Sequence, residues 1–203
     1  MNSRDKKHWE NVYETKNPDQ VSWTQEKPRV SLDLINSFGL EKNAKIIDVG
    51  GGDSRLVDFL LDEGYENITV LDISEKALEK AKERLGNKAE KVKWIVTDIT
   101  DFHPTEIYDI WHDRAAFHFL ITPEKVSKYV EIVEKSVKKF MILGTFSKNG
   151  PTKCSGLEIQ QYDEESIIER FENSFEKIKC LTEDHKTPFD TIQNFIFCSF
   201  KKR

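Results

Sequence analysis

The stretch IIDVGGGDSRL, residues 46–56, decides the fold class that this sequence predicts. A short apolar run ends in three consecutive glycines, and a segment with helical periodicity follows it. In an open α/β sheet, a turn between a strand and the next helix lies at the carboxyl edge, where ligands bind. The turn could hold the phosphates of a dinucleotide, hold a cofactor without phosphate, or be a tight turn only.

Strands and helices alternate along the chain around this turn. Helices are predicted at 6–15, 29–38, 55–63, 75–85, 122–137 and 163–171, and strands at 45–49, 67–71, 92–96, 108–112 and 140–146. This alternation predicts a parallel sheet with helices on both faces. The runs 174–184 and 191–202 alternate apolar and polar residues, which predicts an antiparallel C-terminal hairpin. We therefore expect an α/β fold with a seven-stranded, mostly parallel sheet.

The composition limits the class of protein. The chain has 203 residues, of which 33% are charged, and a net charge of −5 without a basic stripe, so we expect no nucleic-acid partner. It has no apolar run of about 18 residues, so we expect no membrane span. A single domain of residues 1–203 is predicted, with residues 1–40 as an N-terminal helical lid.

The cysteines predict the compartment. Cys154, Cys180 and Cys198 are odd in number and widely spaced, and they form no C-x-x-C. We therefore expect neither a disulfide framework nor a zinc site, and a cytoplasmic location. Cys180 and Cys198 are interpreted as plain core residues.

The residues around the glycines discriminate between the possible ligands. The dinucleotide fingerprint G-x-G-x-x-G requires a third glycine, and Arg55 stands at that position. Asp48 precedes the glycines and would repel a pyrophosphate. The turn instead fits D-x-G-x-G-x-[GS], which ends at Ser54 here, and its acid suits a cationic amino-acid ligand.

Two further acids follow the next strands. Asp72 ends the second predicted strand, where a carboxylate accepts hydrogen bonds from both hydroxyls of a ribose. NAD enzymes share that feature, so Asp72 alone does not discriminate. Asp98 ends the third predicted strand, where it can accept from the exocyclic amine of an adenine, with Ile99 beside it. Three acids at three successive strand ends favour a nucleoside cofactor over a simple turn.

The segments IIDVGGGDS, VLDIS and VTDI, in this order, resemble the motifs of class I S-adenosylmethionine-dependent methyltransferases. The resemblance covers about residues 45–146 and implies a Rossmann-like sheet with a reversed final strand. It implies that the glycines approach the methionine part of the cofactor, with Asp48 near its ammonium group. By this resemblance the cofactor-binding residues are Asp48, Gly50, Gly52, Asp72, Ile73, Asp98 and Ile99.

The N-terminal pattern H-W-x-x-V-Y, followed by V-S-W, resembles methyltransferase-like protein lysine methyltransferases, some of which act on translation elongation factor. After the fourth strand those enzymes have D-K-G-[TF]-x-D, whereas this chain has DRAAFHFL at 113–120. That segment, with GPTKCSGL at 150–157, resembles an uncharacterised prokaryotic group of methyltransferases with DRA-x-FHFL and GP-x-x-CSGL. Trp9, Tyr13 and Trp23 are then expected to close over the cofactor, or they only pin the first helix to the sheet.

The acceptor is expected after the fourth strand, where the resemblance places the transferred methyl group. The candidates for a catalytic or substrate pocket are Asp113, Arg114, His118 and His185. Arg114 could bind a substrate carboxylate or phosphate, or form an ion pair with Asp113 or another acid. His118 is a possible base or a packing residue, and His185, expected in the hairpin loop, is a possible base. No spacing of His, Cys or Asp suggests a metal.

The sequence thus predicts a methyltransferase that moves a methyl group from S-adenosylmethionine to an unidentified small-molecule or protein acceptor. A protein lysine acceptor is the more specific alternative. From other classes, an NAD-dependent oxidoreductase and a non-catalytic cofactor-binding protein stay open.

Overall fold

The computed structural model describes residues 3–203, so the first two residues of the predicted lid lie outside the described part. The helices are α1 (Ser3–Thr15), α2 (Arg29–Ser37), α3 (Leu56–Asp62), α4 (Glu75–Leu85), α5 (Pro123–Ser136) and α6 (Glu164–Phe171). The strands are β1 (Lys45–Val49), β2 (Asn67–Asp72), β3 (Val92–Val96), β4 (Tyr108–Arg114), β5 (Val137–Phe146), β6 (Lys153–Cys154), β7 (Leu157–Glu158), β8 (Phe175–Lys186) and β9 (Ile192–Lys202). The order of elements matches the sequence prediction, and the short β6 and β7 are additional.

Seven strands form one sheet in the order β3-β2-β1-β4-β5-β9-β8. Strands β1 to β5 pair in parallel, and β9 pairs antiparallel with both β5 and β8. The predicted seven-stranded, mostly parallel fold with a C-terminal hairpin is therefore confirmed. The chain leaves β1 toward β2 on one side and returns to β4 on the other, so the strand order reverses between β1 and β4. A ligand site is expected at that point of the carboxyl edge.

Local capping explains where two of the helices begin. Ser74 precedes α4, and its hydroxyl accepts a hydrogen bond from the Ala77 amide. Thr122 does the same for the Lys125 amide at the start of α5, where Pro123 is the first helical residue. Both caps follow a strand end or a turn at the carboxyl edge, so they hold these helices next to the reversal point.

Helices cover both faces of the sheet and give it two cores. One core joins α5, α6 and the hairpin around the fully buried Trp111, Tyr129 and Phe171. The other joins α2, α3 and α4 around Ile35 and Leu78. Because both faces are covered, the central strands β1 and β4 are buried along nearly their whole length.

The cysteines correct one sequence prediction. Cys180 and Cys198 form a disulfide between β8 and β9, whereas we expected two unpaired core thiols. The hairpin register places them directly opposite each other, with Cα atoms 4.1 Å apart. Their spacing in sequence carries no signal of this, because only the register creates the pair. The disulfide removes the reason for expecting a reducing compartment. Cys154 is free and buried.

Candidate active site

A cavity of about 1210 Å³ opens at the reversal point. Its lining comes from the glycine turn, the carboxyl ends of β2 and β4, α1 with the loop before α2, and the tip of the C-terminal hairpin. The volume exceeds that of most drug-sized pockets, which reach about 1,000 Å³. It therefore has room for a nucleoside cofactor and a second molecule.

The turn after β1 requires glycine. Gly50 and Gly52 have φ values of +65° and +50°, which side-chain-bearing residues rarely adopt. A Cβ atom on Gly50 would lie 2.5 Å from Cβ of Ala116, and one on Gly51 would lie 2.7 Å from Oδ2 of Asp48. The backbone of the turn therefore packs directly against the loop after β4 and against its own acid.

The amides of this turn are engaged within the protein. The N–H groups of Gly50 and Gly51 donate to the carbonyl of Leu71, at 2.7 and 3.3 Å. The Gly52 amide donates to the Asp72 carboxylate. A phosphate cradle needs free backbone N–H groups aimed at the ligand. With these three amides bonded inside the fold and Asp48 beside them, the turn does not fit a pyrophosphate.

Asp72 is a buried carboxylate at the end of β2. It lines the cavity, its side chain is almost fully enclosed, and its Oδ1 accepts from the Ser74 amide at 2.8 Å. Among the described side chains, none forms an ion pair with it. Burial is the main reason that its pKa rises to about 7. A carboxylate kept in this way, without a cation, suits neutral hydrogen-bond donors such as hydroxyl groups.

Asp48 belongs to a buried chain of polar groups. Its Oδ1 is 2.7 Å from Nδ1 of His112, and Nε2 of His112 is 2.8 Å from the hydroxyl of Ser31 on α2. Because a carboxylate only accepts, Nδ1 carries the hydrogen and donates it. All three residues line the cavity. The Asp48 carboxylate is thereby held in one orientation beside the glycines.

Ser31 and His112 are site residues that none of the sequence motifs includes. Asp48 and His112 are register partners on the parallel strands β1 and β4. The signal that points to His112 is the strand order of open α/β sheets, which makes the first and fourth strands neighbours. Ser31 lies on a helix distant in sequence, and no local pattern indicates it.

The other predicted cofactor residues also lie at this edge. Asp98 caps the short turn Ile99–Asp101, its Oδ1 accepting from the amide and the hydroxyl of Thr100 at 2.9 and 2.8 Å. Asp98, Ile99 and Ile73 line the cavity. Three successive strand ends thus surround one space.

The three predicted lid aromatics pack together over the cavity. The Trp9 ring lies 5.7 Å from that of Trp23 and 5.1 Å from that of Phe119, and the Tyr13 ring lies 6.2 Å from that of Trp23. All of them line the cavity. The Tyr13 hydroxyl is 2.5 Å from the position that a Cβ on Gly52 would take, so Tyr13 crosses the glycine turn.

Helix α1 is fastened at both sides of the cavity. Glu10 accepts from the Ser74 hydroxyl at 2.9 Å and from the amides of Glu75 and Lys76 at 2.8 and 3.0 Å. It therefore caps the N-terminus of α4, where a negative charge is favourable. Asp5 forms a 2.9 Å ion pair with Lys125 in the first turn of α5. Neither acid is part of a motif in the sequence.

Asp113 lies outside the cavity lining. It is completely buried, and its Oδ1 accepts from the amides of Ala116 and Phe117 at 3.0 and 3.2 Å. Its Oδ2 accepts from the Tyr129 hydroxyl at 2.8 Å. Burial is the main cause that raises its pKa to about 6. The position of Asp113 is that of a brace for the loop after β4, and its bonds leave it turned toward the core.

His118 also lies outside the lining. Its ring stacks on Phe146, with centroids 4.5 Å apart and planes within 8°. Both ring nitrogens are buried and have no hydrogen-bond partner. Burial, with the nearby Arg114 charge, lowers its pKa to about 3, so the ring is neutral. This is the packing position that the sequence left as one of two alternatives.

Arg114 and His185 line the cavity. The Nη1 group of Arg114 donates to the Trp23 carbonyl at 3.0 Å, and its guanidinium lies 4.8 Å from the centre of the Phe195 ring. Burial lowers the Arg114 pKa to about 10, so the group stays charged at neutral pH. Among the described side chains, Arg114 forms no ion pair, neither with Asp113 nor with another acid, which is the alternative that the sequence left open.

His185 is the penultimate residue of β8 and not a loop residue, contrary to expectation. Its Nε2 donates to the Ser22 carbonyl at 2.7 Å, which leaves Nδ1 without the hydrogen when the ring is neutral. Burial, with the Arg114 charge, lowers its pKa and favours that neutral form. Cys154, also at the cavity, has a pKa raised to about 11 by burial, so it stays a thiol.

Two negative findings apply to the described part of the chain. No group of three or more His, Cys, Asp or Glu side chains within residues 3–203 is arranged to hold a metal ion. Over the same range, no helix is long and apolar enough to cross a membrane.

A protein family and several solved structures also match this chain. Residues 40–187 match the model of the family described as methyltransferase domain. A solved structure of an S-adenosylmethionine-dependent methyltransferase from Anabaena variabilis superposes with a TM-score of 0.75 at 18% identity, over 100% of this chain and 96% of that one.

Two curated relatives match part of the chain. Malonyl-[acyl-carrier protein] O-methyltransferase of Anoxybacillus flavithermus is 31% identical over 125 residues, which is 59% of this chain and 47% of that protein. The eEF1A lysine and N-terminal methyltransferase of Mus musculus is 23% identical over 119 residues, 58% of this chain and 17% of that protein. The chain therefore matches less than half the length of either relative.

Proposed function

We propose that this chain, which belongs to the methyltransferase-domain family and has S-adenosylmethionine as its cofactor, transfers a methyl group to a small molecule held in the cavity. The observation that carries the proposal is the glycine turn. Its amides are bonded inside the fold, and three buried acids at successive strand ends face one space. The bound cofactor supplies a methyl group already activated by its sulfonium.

The residues of the chain then take the following roles. Asp72, beside Ile73, accepts from the ribose hydroxyls, and Asp98, beside Ile99, accepts from the adenine amine. Asp48, oriented by His112, lies near the ammonium end beside Gly50 and Gly52. Trp9, Tyr13 and Trp23 exclude water and place aromatic faces against the sulfonium.

Catalysis by this chain rests mainly on placement. A sulfonium leaving group needs no acid, so orientation and exclusion of water contribute most of the rate. Where the acceptor atom carries a proton at neutral pH, Nδ1 of His185 is the basic atom at the cavity wall. We assign no catalytic step to Asp113 or His118, because neither residue lines the cavity.

A small-molecule acceptor is favoured over a lysine side chain by charge. Arg114 lines the part of the cavity next to the end of β4, where the acceptor is expected. Its charged guanidinium forms no ion pair there, and it repels a lysine ammonium. The lid helix α1 also spans the cavity between α4 and α5. We accordingly treat residues 1–203 as one domain with residues 1–40 as its lid.

The test is transfer of a labelled methyl group from S-adenosylmethionine into cell extract, followed by separation of protein from small molecules. We expect label in the small-molecule fraction with the wild type and none with Asp72→Ala. Label confined to protein would contradict the small-molecule assignment. Calorimetry comes first: binding of NAD(P) instead of S-adenosylmethionine would support an oxidoreductase, and cofactor binding without any transfer would support a non-catalytic protein.

A further inference from the structure

Arg114 lines the cavity, and one edge of its guanidinium is buried there without a hydrogen-bond partner. Its Nη1 is bonded to the Trp23 carbonyl, whereas Nε and Nη2 are buried and have no hydrogen-bond partner. These two nitrogens share the edge of the guanidinium that donates two parallel hydrogen bonds to a planar oxyanion. We propose that this edge binds a carboxylate or phosphate group of the methyl acceptor, an inference that rests on the proposed function of the cavity.

The same chain shows what this edge binds when a partner is present. Arg84 donates from Nε to Oδ1 of Asp58 at 3.0 Å and from Nη2 to Oδ2 at 2.8 Å. Arg84 is thus an internal reference for the geometry, and it differs from Arg114 in having its carboxylate supplied by the protein. At Arg114 the equivalent carboxylate has to come from the ligand.

The surroundings hold the guanidinium in place without a bonded counter-ion. The plane of Arg114 lies on Phe195, and the Trp23 carbonyl fixes its far side. His118 and His185 are neutral, because burial lowers the pKa of both. A buried guanidinium with two unbonded N–H groups is costly, so a ligand that satisfies both is strongly favoured.

Two carboxylates of the protein act on the Arg114 charge without bonding to it: Asp48, whose Oδ1 is engaged by His112, and Glu183. Glu183 interacts electrostatically with Arg114 from β8, yet its Oε2 is buried and has no partner. Glu183 is absent from the cavity wall. It competes with an incoming anion through its charge, so removing that charge strengthens anion binding at Arg114, provided that Arg114 is the site.

The experiment uses the full chain saturated with S-adenosylhomocysteine, the demethylated cofactor. The melting temperature is measured in sodium acetate, in sodium phosphate and in sodium chloride of equal ionic strength, for wild type, Arg114→Met, Arg114→Lys and Glu183→Gln. We expect acetate or phosphate to raise the wild-type value above that in chloride. The rise is lost in Arg114→Met, reduced in Arg114→Lys, which keeps the charge without the two parallel donors, and enlarged in Glu183→Gln.

The two salts identify the source of the oxyanion. A rise in acetate alone indicates a carboxylate acceptor, and a rise in phosphate alone indicates a phosphorylated one. An equal response to acetate, phosphate and chloride in the wild type, or an unchanged rise in Arg114→Met, would overturn the proposal. Where Arg114→Met folds poorly, the Arg114→Lys and Glu183→Gln variants decide between the same outcomes.

Transfer assays separate this inference from the proposed function. Small molecules from cell extract are split by anion exchange, and we expect label only in the retained, anionic fraction, with at least a tenfold loss in Arg114→Met. Transfer into the unretained fraction would contradict the Arg114 site and leave the methyltransferase intact. The salt series is repeated without S-adenosylhomocysteine, so that a failure of cofactor binding counts only against the proposed function.

Discussion

The cavity has a cofactor half around the ends of β1 to β3 and an acceptor half around Arg114. The two halves differ in how far their polar groups are hydrogen-bonded within the protein. In the cofactor half, the glycine amides, Asp48 and Ser74 all have partners within the chain. In the acceptor half, Nε and Nη2 of Arg114 are buried without partners, and so is Oε2 of Glu183, which lies near Arg114 but outside the cavity wall. A site whose groups are already oriented binds without rearrangement, whereas unpaired buried groups cost free energy until a ligand arrives. The fold therefore already orients the polar groups of the cofactor half, whereas Arg114 in the acceptor half gains its missing partners only when an acceptor binds.

The largest effect is expected from replacing Asp113, which supports the loop after β4. Asp113→Ala removes the acceptor for two amides of the loop after β4 and for the Tyr129 hydroxyl, all within the protein interior. We expect a loss of about 3 kcal/mol or more in the free energy of unfolding, measured in urea. Asp113→Asn keeps one acceptor oxygen, so its loss is smaller. Stability equal to the wild type in both variants would contradict the brace role.

Asp72→Ala tests the cofactor half alone. Loss of the hydrogen bonds that the ribose hydroxyls donate to the charged carboxylate costs about 3 kcal/mol, so the Kd for S-adenosylhomocysteine rises about a hundredfold in calorimetry. Asp62→Ala, which removes an exposed acid paired with Lys88, is the matched control and leaves the Kd unchanged. Equal affinity in both variants would remove Asp72 from the site.

The pH dependence of cofactor binding also tests the role of Asp72. The Asp72 pKa of about 7 means that the carboxyl is largely protonated at about pH 6, and the protonated form loses acceptor capacity. Affinity for S-adenosylhomocysteine therefore rises up to about tenfold from pH 6 to pH 8, measured by calorimetry. In Asp72→Asn the dependence disappears. A wild-type affinity that falls over this interval would contradict the assignment.

The stability of the ligand-free protein changes with pH in the opposite sense. The folded-state pKa of Asp72 lies above the value of about 3.9 expected in the unfolded chain, so the folded state binds the proton more tightly. Its contribution is fully present below about pH 4 and is lost as the pH rises through about 7. The difference between wild type and Asp72→Asn in urea unfolding over this range isolates it.

The smallest effect concerns the lid. Glu10→Ala removes the cap that α1 places on α4, at a cost of about 1 kcal/mol in the free energy of unfolding. Because the lid aromatics stay in the chain, we expect only a modest weakening of cofactor binding. Glu14→Ala, on the same helix, is the control. A loss of cofactor binding as large as that of Asp72→Ala would show that the lid, and not the strand ends, determines affinity.

The sequence by itself determined the order of elements, the need for glycine after β1, and the placement of Asp48, Asp72 and Asp98 at one edge. These features depend on local periodicity, on backbone conformation and on the rule that parallel strands end together. Arg55 at the position of a fingerprint glycine already argued against a dinucleotide, and the bonded amides of Gly50 and Gly51 agree with it.

Only the tertiary structure decided which neighbouring residues face the cavity. Asp113 and Arg114 are adjacent in sequence, but successive residues of a strand point to opposite sides, so one braces the core and the other lines the site. The pairing of Asp48 with His112 and of Cys180 with Cys198 depends on strand order and register. These are set by packing across the whole sheet, and no short segment of sequence specifies them.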